Sequence, residues 1–366
     1  MRHLSLLLLL LLLCTLLRLD PALAEQREVR VYNWIEYLPK DVIKDFEQQT
    51  GIHVQYDVFD NVQTMESKLL TGNSGYDVVF PSGSQLGKLI KAKALEPLDR
   101  AQLPNWKNLD PAFMNRLAVN DPDNRYAVPY LWGTTLIGYN VAKIHEIFGP
   151  EVQFDSWDFI FKPENIAKLK QCGVAFLDAP EEILPIALHY LGLPPNSDKR
   201  EDYAKAQALM LSIRPSILYF SSAKFPVDLA NGDICVAVGW SGAFTQARNM
   251  AKAAGKGIDI AMSLPRGGTL QWADVIAIPQ GVRHPSEAHA FIDFLLRPEV
   301  IARISNTLEY PNPNLPAQPL IDARLRSDPN IFVPQARRAE LFMQTPADLA
   351  LDRLRTRVWT TIRNGQ

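Results

Sequence analysis

Cysteine is scarce: the chain of 366 residues has three, and one of them, Cys14, lies in an N-terminal apolar run. With no C-x-x-C pair, a cysteine-built zinc site is not indicated. Histidine is thin as well, and His284 and His289 stand outside any HExxH pattern. No Walker loop is present, and no GxGxxG follows a strand-like run. Gly72–Tyr76 and Gly239–Ala243 approach GxSxG but lack the closing glycine, so a nucleophile elbow is absent. Asp121-Pro122-Asp123-Asn124 begins like a calcium loop and lacks the rest, which leaves a polar turn. The formal net charge of −2 offers no footprint for nucleic acid. No cofactor, no metal and no nucleic-acid partner are therefore expected.

What is present begins with a leader. Arg2 and His3 precede the leucine-rich run Leu4–Leu17, Asp20-Pro21 breaks it, and Ala22-Leu23-Ala24 reads as a cleavage site. A run of 14 residues is short for a membrane span of about 20. Cleavage after Ala24 and export of a chain without a membrane span are expected; an uncleaved anchor is the alternative. Removing residues 1–24 takes away Arg2, Arg18 and Asp20 and moves the formal charge from −2 to −3. A cationic ligand would then need local acids rather than a global field.

Strand-like and helical runs alternate along the remainder, which is an α/β pattern. Val29–Gly51 reads as a strand, a corner carrying Trp34, Glu36 and Tyr37, then an amphipathic helix. His53–Phe59, Tyr76–Ser82, Val174–Asp178, Ile234–Gly242, Ile258–Leu264 and Ala273–Ile278 read as strands. Helices are expected over Val62–Leu70, Ser84–Leu95, Pro180–Leu191, Ser286–Leu296 and Leu351–Ile362, with Pro185 costing or kinking its helix. Arg125–Asn140 is apolar and aromatic, but Pro129 argues against one continuous central strand and for two strands passing between lobes.

Open α/β sheets bind ligands at strand-end loops. Those loops, at Trp34–Tyr37, Pro81–Ser84, Asp178–Glu182, Trp240–Ala243 and Trp272–Asp274, carry several rings, acids and serines. If they converge, they line a cleft suited to a cation with an apolar body. The competing reading makes the aromatics core plugs. Glu181 and Glu182 could serve glycosidase chemistry, or simply compensate a helix dipole. Cys172 and Cys235 each border a predicted strand; an exported chain favours a disulfide, and two buried thiols are the alternative.

These segments resemble a known family. YNWIEYLPKDVIKDFEQQTGI, YDVVFPS, DPDNRYAVPYLWGTTLIGYN, CGVAFLDAPEE, DLANGDICVAVGW and DRLRTRVW are similar to those of the bacterial periplasmic polyamine-binding proteins, the receptors of putrescine and spermidine ABC importers. The likeness runs from about Val29 to Gly365 and is nearest the putrescine type. It implies a two-lobe type II solute-binding fold with the ligand between lobes joined by crossing strands, at Arg125–Asn140 and near Lys252–Ile258. One lobe would comprise residues 25–132 and 255–300, the other 133–254 and 301–366. The partners implied are putrescine or spermidine and an inner-membrane permease, and the protein is expected to be a periplasmic monomer without catalysis.

Position by position, the resemblance makes Trp34 and Tyr37 aromatic walls and puts Glu36 where the family has an acid. Ser82 and Glu182 would contact one amine, Ser222 and Trp240 would line the other lobe, Trp272 would stack on the methylene chain, Asp274 would bind an amine, and Tyr310 would complete the box. Cys172 and Cys235 match the family's disulfide pair. Ala243 departs from the putrescine type, which carries aspartate there; Trp272 and Glu36 are nearer the spermidine type. A receptor of the same fold for a sugar or amino acid, or a periplasmic hydrolase using Glu36 and Asp274, are the rival readings.

Overall fold

The structure is a computed structural model that describes residues 27–365, so the leader and its cleavage site lie outside the described residues. Its strands, in chain order, are Glu28–Trp34 (β1), His53–Phe59 (β2), Val78–Val79 (β3), Leu95–Glu96 (β4), Ala127–Asn140 (β5), Val174–Phe176 (β6), Tyr219–Phe220 (β7), Val236–Trp240 (β8), Ile260–Ser263 (β9) and Gln271–Pro279 (β10). β1 pairs in parallel with β2 and β3, β3 meets β10, and β10 runs antiparallel to β5. The helix Lys40–Thr50 links β1 to β2. It buries Val42 and Phe46 and ends where Gly51 turns left-handed.

β5 joins the two lobes. Its first half, Ala127–Thr134, pairs with β10; its second half, Thr135–Asn140, pairs with β8 on one side and β9 on the other. β6 and β7 extend the second lobe beyond β8. The expectation of two strands broken at Pro129 is corrected here: β5 is one strand of 14 residues. Pro129 is tolerated because its half of β5 has a single strand partner, so the missing N–H removes no rung from a ladder bonded on both sides.

The return crossing also differs from expectation. Lys252 belongs to the helix Ser241–Ala254, and β9 beyond it still pairs with the second-lobe half of β5. The chain passes back between β9 and β10, through Leu264–Leu270.

Pro185 lies inside the helix Pro180–Tyr190, which continues through it for 11 residues. Proline leaves the carbonyl four residues earlier without its helical donor. That carbonyl belongs to Glu181, and the Gln344 side-chain amide donates to it instead. Cys172 and Cys235 form a disulfide with Cα atoms 5.3 Å apart. They sit just ahead of β6 and β8, whose parallel register sets Val174 beside Val236. Among the described residues, no helix is long and apolar enough to cross a membrane.

Candidate functional site

The loops at the ends of β1, β3 and β10 bring one group of side chains together. After β1 the chain turns at Glu36, which has a φ of 55°, and delivers Tyr37. The Tyr37 hydroxyl donates to Asp274 Oδ2 at 2.9 Å, and the Tyr37 carbonyl accepts from the Tyr130 hydroxyl at 2.9 Å. Ser82 bridges to Asp274 through the backbone and acts to lower the pKa of its carboxyl. Asp274 lies at a register shift between β10 and β5: between the pairs Ala273–Trp132 and Val275–Pro129 it stands alone opposite Tyr130 and Leu131, so the extra residue of the bulge is in β5. Trp272, two residues earlier, meets the Tyr310 ring edge-on at 5.2 Å, and Tyr310 meets Tyr37 at 6.2 Å.

A second group forms where β5 enters the other lobe. Thr135 and Trp240 are register partners of β5 and β8. Glu182, in the first turn of the helix Pro180–Tyr190, accepts a hydrogen bond from the Thr135 hydroxyl. The Trp240 indole N–H reaches both Glu182 oxygens, at 3.0 and 3.2 Å. Behind this group, the Ser222 hydroxyl accepts from the Asp178 N–H at 3.2 Å. The Asp178 carboxylate is itself taken by the Trp359 indole at 2.7 Å and by Arg363 at 3.0 Å.

Burial dominates the electrostatics. It pushes Glu182 up to about 7, with the Thr135 and Trp240 hydrogen bonds opposing the shift and the charges of Glu181 and Asp274 adding to it. Burial likewise raises Asp274 to about 7 against the hydrogen bonds from Tyr37 and Ser82. The Tyr310 hydroxyl is raised by burial and then by both carboxylates, so it stands within electrostatic reach of each. Among the described residues, neither acid has a cationic partner; their donors are hydroxyls and an indole.

Of the residues singled out in the sequence, Tyr37, Ser82, Trp272, Asp274 and Tyr310 thus form one cluster, and Glu182 and Trp240 another linked to it by charge. Ser222 is placed by its hydrogen bond with the Asp178 N–H. Trp34 packs on Phe59, with ring centres 4.5 Å apart, and Glu36 is exposed. Four contributors were not anticipated: Tyr130 and Thr135 through hydrogen bonds, and Gly133 and Gly242 through close approach. A Cβ on Gly133 would lie 2.4 Å from the Trp272 ring. The polar Gly-Thr-Thr inside the apolar run Ala127–Asn140 is the signal that could have pointed to Gly133 and Thr135. No group of three or more His, Cys, Asp or Glu residues is arranged to hold a metal among the described residues.

Two α/β lobes on a shared strand, with rings and acids between them, define a solute-binding protein of the two-lobe class. The family profile of bacterial extracellular solute-binding proteins matches residues 41–333, and the chain belongs to that family. It is 47% identical over 344 residues to the putrescine-binding periplasmic protein PotF of Escherichia coli K12, covering 94% of this chain and 93% of PotF. It is 48% identical over 346 residues to the putrescine/agmatine-binding protein of Pseudomonas aeruginosa PAO1, covering 94% of each. The TpPotD lipoprotein of Treponema pallidum superposes with a TM-score of 0.79 at 26% identity, over 92% of this chain and 99% of that one.

Proposed function

We propose that the protein is a periplasmic receptor that captures a polyamine and delivers it to an inner-membrane ABC permease. The observation that carries this reading is the pair of carboxylates, buried Glu182 and half-buried Asp274, without cationic partners beside the rings of Tyr37, Trp272, Tyr310 and Trp240. A polyamine is an apolar chain with ammonium groups at intervals. Each ring offers methylene contact and a cation–π attraction of about 0.5–2 kcal/mol. Each ammonium supplies the counter-charge that a buried carboxylate lacks. Relatives named for putrescine binding, at close to half identity over nearly the whole chain, support the same ligand class.

The two lobes would close by a hinge motion about β5 and the return segment Leu264–Leu270, and a monomer suffices for that. Within the ligand class, Ala243, Trp272 and Glu36 favour spermidine at least equally with putrescine. The test is a thermal-shift panel of diamines, triamines, amino acids and sugars, followed by calorimetry. Stabilisation by polyamines alone is expected; stabilisation by a sugar or a neutral amino acid, and not by polyamines, removes the proposal.

A further inference from the structure

Polyamine capture need not begin from an ionised site. We propose that capture is an exchange of cation for proton: in the ligand-free protein Glu182 and Asp274 are partly protonated near neutral pH, and the incoming ammonium groups displace those protons. This rests on the receptor reading above and adds a chemical step to it.

The geometry supplies the reason. Glu182 faces the Thr135 hydroxyl from β5, the Trp240 indole from β8, the Glu181 carboxylate on its own helix, Asp274 from β10 and the Tyr310 hydroxyl. Asp274 faces the Tyr37 and Ser82 hydroxyls, with Tyr130 and Tyr310 beyond. Arg355 acts on Glu181 rather than on the pair. Every neighbour of the two acids is therefore a neutral dipole or another acid.

A carboxylate withdrawn from water without a cation beside it loses hydration, which favours its protonated form, and at Glu182 the charges of Glu181 and Asp274 add to the effect. Burial places each acid near 7, so the pair is about half protonated at neutral pH. A bound dication reverses the balance by restoring an opposite charge to each acid. The step is closed: each O–H bond breaks, the carboxylate keeps the electron pair and binds an ammonium group, and the proton leaves to bulk buffer. Alkyl ammonium groups, with values near the lysine range of about 10, stay charged throughout.

The experiment is calorimetry of putrescine binding in buffers of different ionisation enthalpy at pH 6, 7 and 8.5. For two acids near 7, linkage predicts release of about two protons per ligand at pH 6, about one at pH 7 and about none at pH 8.5. The same linkage predicts that affinity falls by about 100-fold from pH 8 to pH 6. Tight binding with no proton release and no pH dependence would overturn the exchange and leave the receptor reading intact. Failure of putrescine and spermidine to bind even at pH 8.5 would instead overturn the receptor reading, and the exchange with it. Carbon-13 NMR titration of the ligand-free protein locates the protons independently of any variant. Side-chain carboxyl signals of Glu182 and Asp274 that move near neutrality support the exchange, and signals that move only near pH 4 overturn it.

Discussion

Tyr310 rests on the backbone of Gly242: a Cβ on that glycine would lie 2.3 Å from the tyrosine ring. Tyr310 follows the helix Pro298–Leu308, which is tied to the first lobe by the Arg303–Asp45 ion pair at 2.6 Å. Gly242 lies in the helix Ser241–Ala254 of the second lobe, and the N–H of the next residue, Ala243, acts to lower the pKa of the Tyr310 hydroxyl. The contact therefore spans the two lobes and seats the ring at their junction.

Gly242→Ala tests whether that seat matters. Alanine suits a helix better than glycine by about 1 kcal/mol. A purely structural role therefore predicts little change in affinity once the neighbours relax. A seating role predicts that displacing the ring lowers polyamine affinity by roughly tenfold, an order set by a contact worth about 1–2 kcal/mol. Calorimetry alongside thermal melting separates the two; unchanged affinity in a folded variant would mean that Tyr310 is not a wall.

The raised acids make a prediction of opposite signs. Because the folded state binds protons more tightly than the unfolded chain at Glu182 and Asp274, ligand-free stability should fall as pH rises from about 4.5 through 7. Asp274→Asn and Glu182→Gln remove the buried charge, and each should stabilise the ligand-free protein at pH 8 by about 1–3 kcal/mol. Each should also weaken polyamine binding by about 2–5 kcal/mol, the usual cost of breaking a buried charge pair. Melting at pH 5 and pH 8 with and without ligand provides both readings. A variant less stable than wild type at pH 8, with affinity intact, would assign the acids to structure alone.

Much of this arrangement was legible where the pattern is local. His53–Phe59 is a strand over the expected residues, and the cysteines that border predicted strands are bonded across neighbouring ones. What escaped depends on partners distant in sequence. Pro129 argues against a central strand only if both sides of that half of β5 are paired, and the pairing pattern is not written in the segment itself. The bulge opposite Asp274 lies in β5 and arises from the register between that strand and β10. Pro185 survives within a helix because Gln344, far along the chain, supplies the missing donor. The helix Arg200–Ile213 was not anticipated either; its many alanines and scattered charges leave a blurred apolar face.

Reduction of Cys172–Cys235 should destabilise the second lobe without touching the candidate site. The bridge closes a loop with a sequence separation of 63. A chain-entropy account gives about 4 kcal/mol for a loop of that length, an upper figure where the reduced chain keeps structure. The expected result is a clear drop in melting temperature on reduction, with polyamine affinity retained at 25 °C. Two free thiols in the periplasmic protein, by mass spectrometry, would remove this prediction.

Trp34 and Trp272, both read from the sequence as walls, should now separate. Trp34 packs on Phe59, while Trp272 contacts Tyr310 and the backbone at Gly133. Trp34→Ala should cost mainly stability, by up to about 3–5 kcal/mol as for a buried aromatic. Trp272→Ala should cost mainly affinity. Chemical denaturation and calorimetry on both variants check this; equal loss of affinity in each would restore Trp34 to the cleft wall.

Ala243 should bear on the choice between two polyamines. Its side chain is buried in the first turn of the helix Ser241–Ala254, beside Tyr310. An aspartate there would suit the helix dipole and add a carboxylate near the rings. In its absence, a diamine depends on Glu182 and Asp274 alone, while a triamine has a third ammonium that can reach other acids. Trp272 also offers a broad stacking face to a longer chain. The wild type should therefore bind spermidine at least as tightly as putrescine. Ala243→Asp should favour putrescine selectively, by about 1–3 kcal/mol if the new charge is paired. Side-by-side calorimetry of both ligands on both proteins decides it, best at pH 8.5 so that proton exchange does not mask the difference. A wild type that clearly prefers putrescine, with no gain in the variant, would show that the two existing carboxylates already fix a diamine at both ends.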